Sequence, residues 1–281
     1  MRSINRAIET TEPMKTNNSI FLNIFNIFKS FSHKYIAIIL FLILWEIFPI
    51  IGVFNPLFIP PPSTIAVEMW NLTINSVLTI ATLYTFSRVL AGIGFALLIA
   101  IPLGFLLGGF FKDFEKASGP LIKLWEQGNP LTLFHLFVLL VGLTELSTIV
   151  VVYWAAQWPI LNNTVTGAKS VDPVLVKVAR AAGLSKFDIF WKIQLPASLP
   201  TIFTGIRLGV IFAFLILMGV EMMGMSSGIG LGYFIMSAQM ATMIPRMWAG
   251  IVTMTLLCIS INYVLVRIER HFTRWKNYAS Y

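Results

Sequence analysis

Charge and cysteine are both scarce in this sequence. Only 11% of its 281 residues are Asp, Glu, Lys or Arg, whereas 57% are hydrophobic; a soluble globular domain carries about 25% charge. The apolar residues also come in runs long enough to span a bilayer. A water-soluble globule is thereby excluded, and an all-α, polytopic membrane protein is expected. The single cysteine, Cys258, lies in the last apolar run, so there is no disulfide framework and no cysteine metal cluster. No pair of His or Cys offers a metal site. A cluster of His, Asp or Glu at the membrane face is also missing, which argues against a membrane-embedded enzyme. Nor does the chain contain the G-x4-G-K-[ST] phosphate loop. Acids are outnumbered by bases, 12 to 20. The cations fall in short clusters between apolar runs rather than on a soluble face with stacking aromatics, so nucleic acid is not an expected partner.

The hydrophobic runs predict about six spans. They cover roughly Tyr35 to Val53, Thr79 to Phe110, Pro120 to Leu143 (interrupted by "WEQGNP"), a fourth from "TELSTIVVVYWAAQWPILNNTV" broken by Pro159, Thr201 to Met222, and Trp248 to Val266. "FKDFEKASG" reads as a charged turn, and "GMSSGIGLGYFIMSAQM" as too short and loose to span. Before the first span, "SIFLNIFNIFKSF" sets Ile20, Phe21, Ile24, Phe25, Phe28 and Phe31 on one helical face, the pattern of an interfacial helix. The expected organisation is a segment 1–34 carrying that helix, a membrane domain 35–266 and a tail 267–281. With the N-terminus in the cytoplasm, the basic clusters Arg2 to Lys34, Lys112 to Lys123, Lys169 to Lys192 and Arg267 to Lys276 all fall inside. The outer loops then hold Glu68, Glu145 and Glu221, with Arg246 as the exception.

One long polar segment, 167–200, interrupts the apolar chain between the fourth and fifth spans. "SVDPVLVKVARAAG" reads as a helix capped by Asp172 or Ser170, begun by Pro173 and ended by Gly183 in the left-handed conformation. "SKFDIFWKIQL" reads as a second short helix capped by Ser185, after which Pro196 and Pro200 set the entry angle of the fifth span. The small residues Ala179, Ala181 and Ala182 are expected to let a partner's backbone approach. Two amphipathic helices, a turn glycine and a proline exit are more than a solvated linker needs.

The run from Lys177 to Pro196 resembles the pattern E-A-A-x3-G-x9-I-x-L-P, the cytoplasmic coupling loop of binding-protein-dependent ABC importer permeases; Ala179, Gly183, Ile193, Leu195 and Pro196 match it. Further stretches, "LILWEIFPIIGVFNPLFIPPPSTI", "TFSRVLAGIGFALLIAIPLGFLLG", "GLTELSTI", "PILNNTVTGAKSVDP", "GIRLGVIFAF" and "VRIERHFTRW", are similar in the same order to the nitrate/sulfonate/taurine branch, over about Leu42 to Trp275. The resemblance implies a type I importer permease fold in a prokaryotic inner or plasma membrane, with both termini cytoplasmic. It implies a second permease copy, separate ABC ATPase subunits that carry ATP and magnesium, and an extracytoplasmic solute-binding protein; this chain would hold no cofactor. It also assigns ATPase coupling to the 170–200 loop through Lys177, Ala179, Arg180, Ala182, Gly183, Leu184, Ser185, Ile193, Leu195 and Pro196. Nitrate, sulfonate, taurine and other small organic solutes all remain open.

Two departures stand out. The motif's glutamate is Lys177 here, and its following alanine is Val178. The third segment, "WEQGNPLTLFHLF", carries Glu126, Gln127, Asn129 and His135 where relatives are mainly apolar. Ionisable groups at membrane depth face a cavity or a partner, so these four are candidate pathway residues, together with Glu221 at the end of the fifth span. Inter-helix or helix-end hydrogen bonding is the competing role for Glu126, His135 and Glu221. Arg88 and Arg207 read as structural, Gly228, Gly230 and Gly232 as turn and packing residues, and the methionines from Met222 to Met243 as adaptable packing. A self-sufficient channel or secondary transporter is the competing class. It predicts internal repeats and paired intramembrane charges; the sequence has no such repeat, and that class leaves the polar loop unexplained.

Overall fold

A computed structural model of the chain describes residues 36–110, 112–224 and 228–273. The interfacial helix expected within 1–34 and the tail from residue 274 lie outside the described residues. The chain divides into two units, 1–64 and 65–281. The first holds α1 (Ile36–Ile50) and the first turn of α2 (Pro62–Ile74). Glu46 accepts hydrogen bonds from the Ser63 backbone N–H (3.0 Å) and hydroxyl (2.6 Å), satisfying groups that open α2.

The second unit is built around α3 (Val77–Phe105), α6 (Glu145–Lys169) and α9 (Leu195–Met222). These helices pack through small residues, as membrane helices do when only close contact and dispersion hold them together. A Cβ added to Gly92 would stand 2.4 Å from Val152 Cγ1, and one on Gly104 would stand 2.6 Å from Thr164 Cβ. The matched order of those pairs makes α3 and α6 parallel. Gly205 against Asn163 and Gly209 against Ile160 run in opposite order, so α9 is antiparallel to both. A parallel pair requires a crossing between its members. That crossing is made by α4 (Lys112–Glu126) and α5 (Pro130–Val141), with the break at residues 127–129. Asn129 caps α5 by accepting from Leu131 N–H at 2.9 Å.

After α6 come α7 (Pro173–Ala181) and α8 (Lys186–Ile189), and after α9 come α10 (Leu231–Met240) and α11 (Ile244–Phe272). Arg207 of α9 pairs with Glu269 of α11, and Phe203 stacks on Phe272, which makes these helices antiparallel. Among the described residues three stretches are individually long and apolar enough to cross a bilayer, Val77–Gly109, Lys186–Met222 and Ile244–Phe272, while α1 and α5 are shorter apolar helices.

Several local expectations are corrected. "FKDFEKASG" is not a turn, because α4 runs from Lys112. Pro159 does not break α6. The stretch ending at Met240 does contain a helix, α10, but at 10 residues it is too short to span, as expected. Pro196 and Pro200 do not separate the loop from the fifth span: Lys186–Met222 is one continuous helix, with a π-turn at Phe190–Gln194 just before Pro196. A widened turn admits a proline ring that an ideal α-turn would reject.

Candidate functional site

The polar segment folds as a hairpin at the end of α6. Asp172 caps α7 by accepting from Val174 N–H at 2.8 Å, and Pro173 occupies the first turn, where no N–H is needed. At the other end Gly183 takes φ +78°, its N–H donates to Arg180 O (3.0 Å) and Leu184 N–H donates to Ala179 O (3.1 Å). These two bonds form a Schellman stop, which closes α7 and sends the chain straight into α8. Ser185 then caps α8, its hydroxyl accepting from Asp188 N–H at 3.1 Å, and Asp188 pairs with Lys192 at 2.6 Å. Leu175, Val178, Ala179, Leu184, Lys192, Ile193, Pro196 and Ala197 line a groove of about 610 Å³ along the hairpin.

The sequence-predicted coupling residues divide by exposure. Lys177, Arg180, Ala182, Gly183 and Ser185 are exposed, and Ile193, Leu195 and Pro196 are half-buried, as is Leu184. Ala179 is buried, although it borders that groove; of the three alanines expected to offer a small surface, Ala181 and Ala182 are the exposed ones. Lys177 forms no hydrogen bond or ion pair among the described residues.

At the opposite end of the same helices, charge is enclosed. Arg88 of α3 is 1% exposed and Glu221 of α9 is 0% exposed. The Arg88 guanidinium donates through Nε and Nη2 to both carboxylate oxygens of Glu145, each at 2.7 Å. Its Nη1 donates to Glu221 Oε1 (2.7 Å) and to the Ile229 carbonyl (2.6 Å). Glu221 also accepts from Gly232 N–H (2.8 Å) and from the Thr85 hydroxyl (2.9 and 3.0 Å), whose oxygen accepts from Leu231 N–H at 2.8 Å. One arginine thus ties α3, the start of α6, the end of α9 and the entry to α10. The glycines of "GIGLGY" make room for it: a Cβ on Gly230 would lie 2.5 Å from the Glu221 carboxylate, and Gly230 takes φ +144°.

Of the other expected pathway residues, Glu126 accepts from the Asn162 amide of α6 at 2.7 Å. Trp125 packs on Trp154 with ring centroids 5.8 Å apart, and Trp154 packs on Phe137 and Trp158. The buried Nε1 atoms of Trp154 and Trp158 have no hydrogen-bond partner among the described residues. Gln127 and His135 are exposed, and Asn129 caps α5. Glu221 does not join this group; it is sealed at the far end of α9. Glu145 and Thr85 were not singled out as its partners. Their signal was that Arg88 is a cation inside an apolar run, which at membrane depth requires acids nearby.

Comparison with known proteins agrees with this architecture. Residues 95–275 match the family described as binding-protein-dependent transport system inner membrane component. The chain is 33% identical over 195 residues to an ABC transporter permease protein of Methanocaldococcus jannaschii, covering 69% of this chain and 72% of that one. It is 31% identical to an aliphatic sulfonates transport permease protein of Bacillus subtilis (83% and 84% covered). To the taurine transport system permease protein of Escherichia coli it is 27% identical (83% and 86%). Among solved structures, an inward-facing conformation of the MetNI methionine ABC transporter aligns with TM-score 0.62 and 18% identity, over 70% of this chain and 96% of that one. The fold is therefore that of a type I importer permease. With nearly two thirds of its length matched, this chain belongs to the family of inner membrane components of binding-protein-dependent transport systems.

Proposed function

We propose that the chain is the membrane-spanning half of an ATP-driven importer for a small solute of the sulfonate, taurine or nitrate kind. Two copies would form the pathway, separate ATPase subunits would bind ATP and magnesium beneath them, and an extracytoplasmic binding protein would deliver the solute. The chain itself would need no cofactor. Both termini and the 170–200 hairpin lie in the cytoplasm on this reading, which keeps the basic clusters inside; segments 1–34, 35–266 and 267–281 are the surface segment, the permease domain and the tail.

One observation carries the reading: the hairpin is continuous with a transmembrane helix. Lys186–Met222 is one helix of 37 residues, about 55 Å at 1.5 Å per residue. On this reading a displacement applied at α8 would be carried along that helix to the Glu221 cluster at its far end. An ATPase dimer that closes around ATP can therefore bias two arrangements of the spans by gripping the hairpin, since coupling requires a contact that differs between states. Glu126, Gln127 and His135 of the broken third segment, with the indole N–H groups of Trp154 and Trp158 on the neighbouring α6, are the pathway candidates; Asn129 supports them by holding α5.

The test is reconstitution. The chain should co-purify with an ATPase, and hydrolysis should rise when the binding protein carries its solute. A ligand screen on that binding protein gives the solute. Uptake that proceeds without ATP hydrolysis would overturn the proposal.

A further inference from the structure

Beside the hairpin lies a second groove, of about 800 Å³, which is within the roughly 300–1,000 Å³ range of small-molecule sites. Ile101, Pro102, Phe105 and Leu106 from the end of α3 form one wall, and Phe187, Phe190, Trp191 and Leu195 form the other. Phe105 and Phe190 meet edge to face at 5.0 Å and fix the back of the groove. Phe187 and Trp191 remain 72% and 51% exposed, a large apolar area that the chain itself leaves uncovered.

The lining contains one charged group, Lys186, which is exposed and has no acidic partner among the described residues. The other nearby lysine, Lys192, is committed to Asp188. An apolar trough with a single free cation at its rim complements an amphiphile with a hydrocarbon tail and a negative head. Its position supplies the source. The α3 wall belongs to the apolar stretch Val77–Gly109, and an exposed Trp beside a Lys at the end of such a stretch is the composition of a membrane–water boundary.

We infer that this groove binds an anionic phospholipid of the bilayer, with the acyl chain along Ile101 to Leu106 and the headgroup at Lys186. The lipid would lie between α3 and the root of the hairpin, so its occupancy would brace the segment through which α8 joins α9. The inference needs only that the chain spans a membrane; it holds whichever solute is carried.

Native mass spectrometry of the full chain, extracted from bilayer discs of equal phosphatidylcholine and phosphatidylglycerol, tests it. The wild type should retain phosphatidylglycerol in preference. Lys186→Gln should lower that preference about fivefold, the worth of one lysine at an anionic surface. Leu106→Trp, which fills the trough, should reduce retention of both lipids. Equal retention of the two lipids by the wild type, or an unchanged preference in Lys186→Gln, would overturn the assignment. So would variants that keep their lipid but lose a co-purifying ATPase, since the groove would then belong to that protein. Lipid retention is read on the permease alone, so failure of the importer reading would leave this result interpretable.

Discussion

The two ends of α9 treat charge in opposite ways. At Glu221 every charged group is buried or paired within the chain, and Arg88 spends four N–H bonds on two carboxylates and a carbonyl. At the hairpin, Lys177 and Arg180 stand exposed, and Lys177 has no partner among the described residues. A membrane protein tolerates buried charge only when it is paired, so the first arrangement serves the chain's own architecture. Exposed cations impose no such demand and are available to another protein. Substitutions should therefore damage stability at one end and assembly at the other.

The largest effect is expected from Arg88→Met. It leaves Glu145 and Glu221 facing each other without a cation, and breaking a buried pair by removing one partner costs about 3–5 kcal/mol. Thermal unfolding of the purified chain should show a marked loss of stability. Adding Glu221→Leu to the same chain should recover part of it, because the remaining Glu145 side chain is partly exposed. If the single variant unfolded like the wild type, the cluster would not be structural.

Gly230→Ala should come next. The new methyl would meet the Glu221 carboxylate at 2.5 Å, on a backbone at φ +144°, and strain of this kind costs about 1–3 kcal/mol. Gly228 provides the control: it too has positive φ, but a Cβ there would meet nothing within 4 Å. Gly228→Ala should therefore be the milder change in the same unfolding assay. Equal losses would mean that backbone conformation, rather than the packed carboxylate, sets the cost.

These positions also show what could be read from the sequence. Asp172, Pro173 and Gly183 act within a dozen residues of one another, so their capping roles were visible as spacing, as was the break at "WEQGNP". The fit between Gly230 and Glu221 depends on the path of a loop, and the Arg88–Glu221 pair joins residues 133 apart in sequence. A single sequence says that Arg88 needs acids but not which ones. The prolines misled for a different reason. The spacing predicts that Pro196 and Pro200 set an angle between a short helix and the fifth span, yet Lys186–Met222 is one helix whose π-turn at Phe190–Gln194 accommodates Pro196.

Gly183→Ala moves to the hairpin. The left-handed conformation at φ +78° costs a residue with a Cβ about 1–2 kcal/mol, paid mainly at the turn between α7 and α8. Co-purification of the ATPase should fall while unfolding of the spans changes little. Gly183→Asn should retain more of it, because asparagine visits this conformation more readily.

Lys177→Glu should have the smallest effect on the chain itself, within about 0.5 kcal/mol, because the side chain is exposed. It restores the acid typical of the coupling motif, so a generic view would expect an improvement. The exposed ammonium, without a partner among the described residues, argues for the reverse: on the proposed reading the ATPase would present an acid or a carbonyl oxygen to it, and an introduced carboxylate would meet like charge or an acceptor that cannot donate. ATPase assembly and coupled transport should both decline, and more steeply at low ionic strength, where surface charges are least screened. Lys177→Arg should preserve both. If Lys177→Glu left assembly and transport unchanged, the hairpin would be recognised by the shape set by Asp172 and Gly183, and the contrast between the two ends of α9 would be one of burial rather than of charge partners.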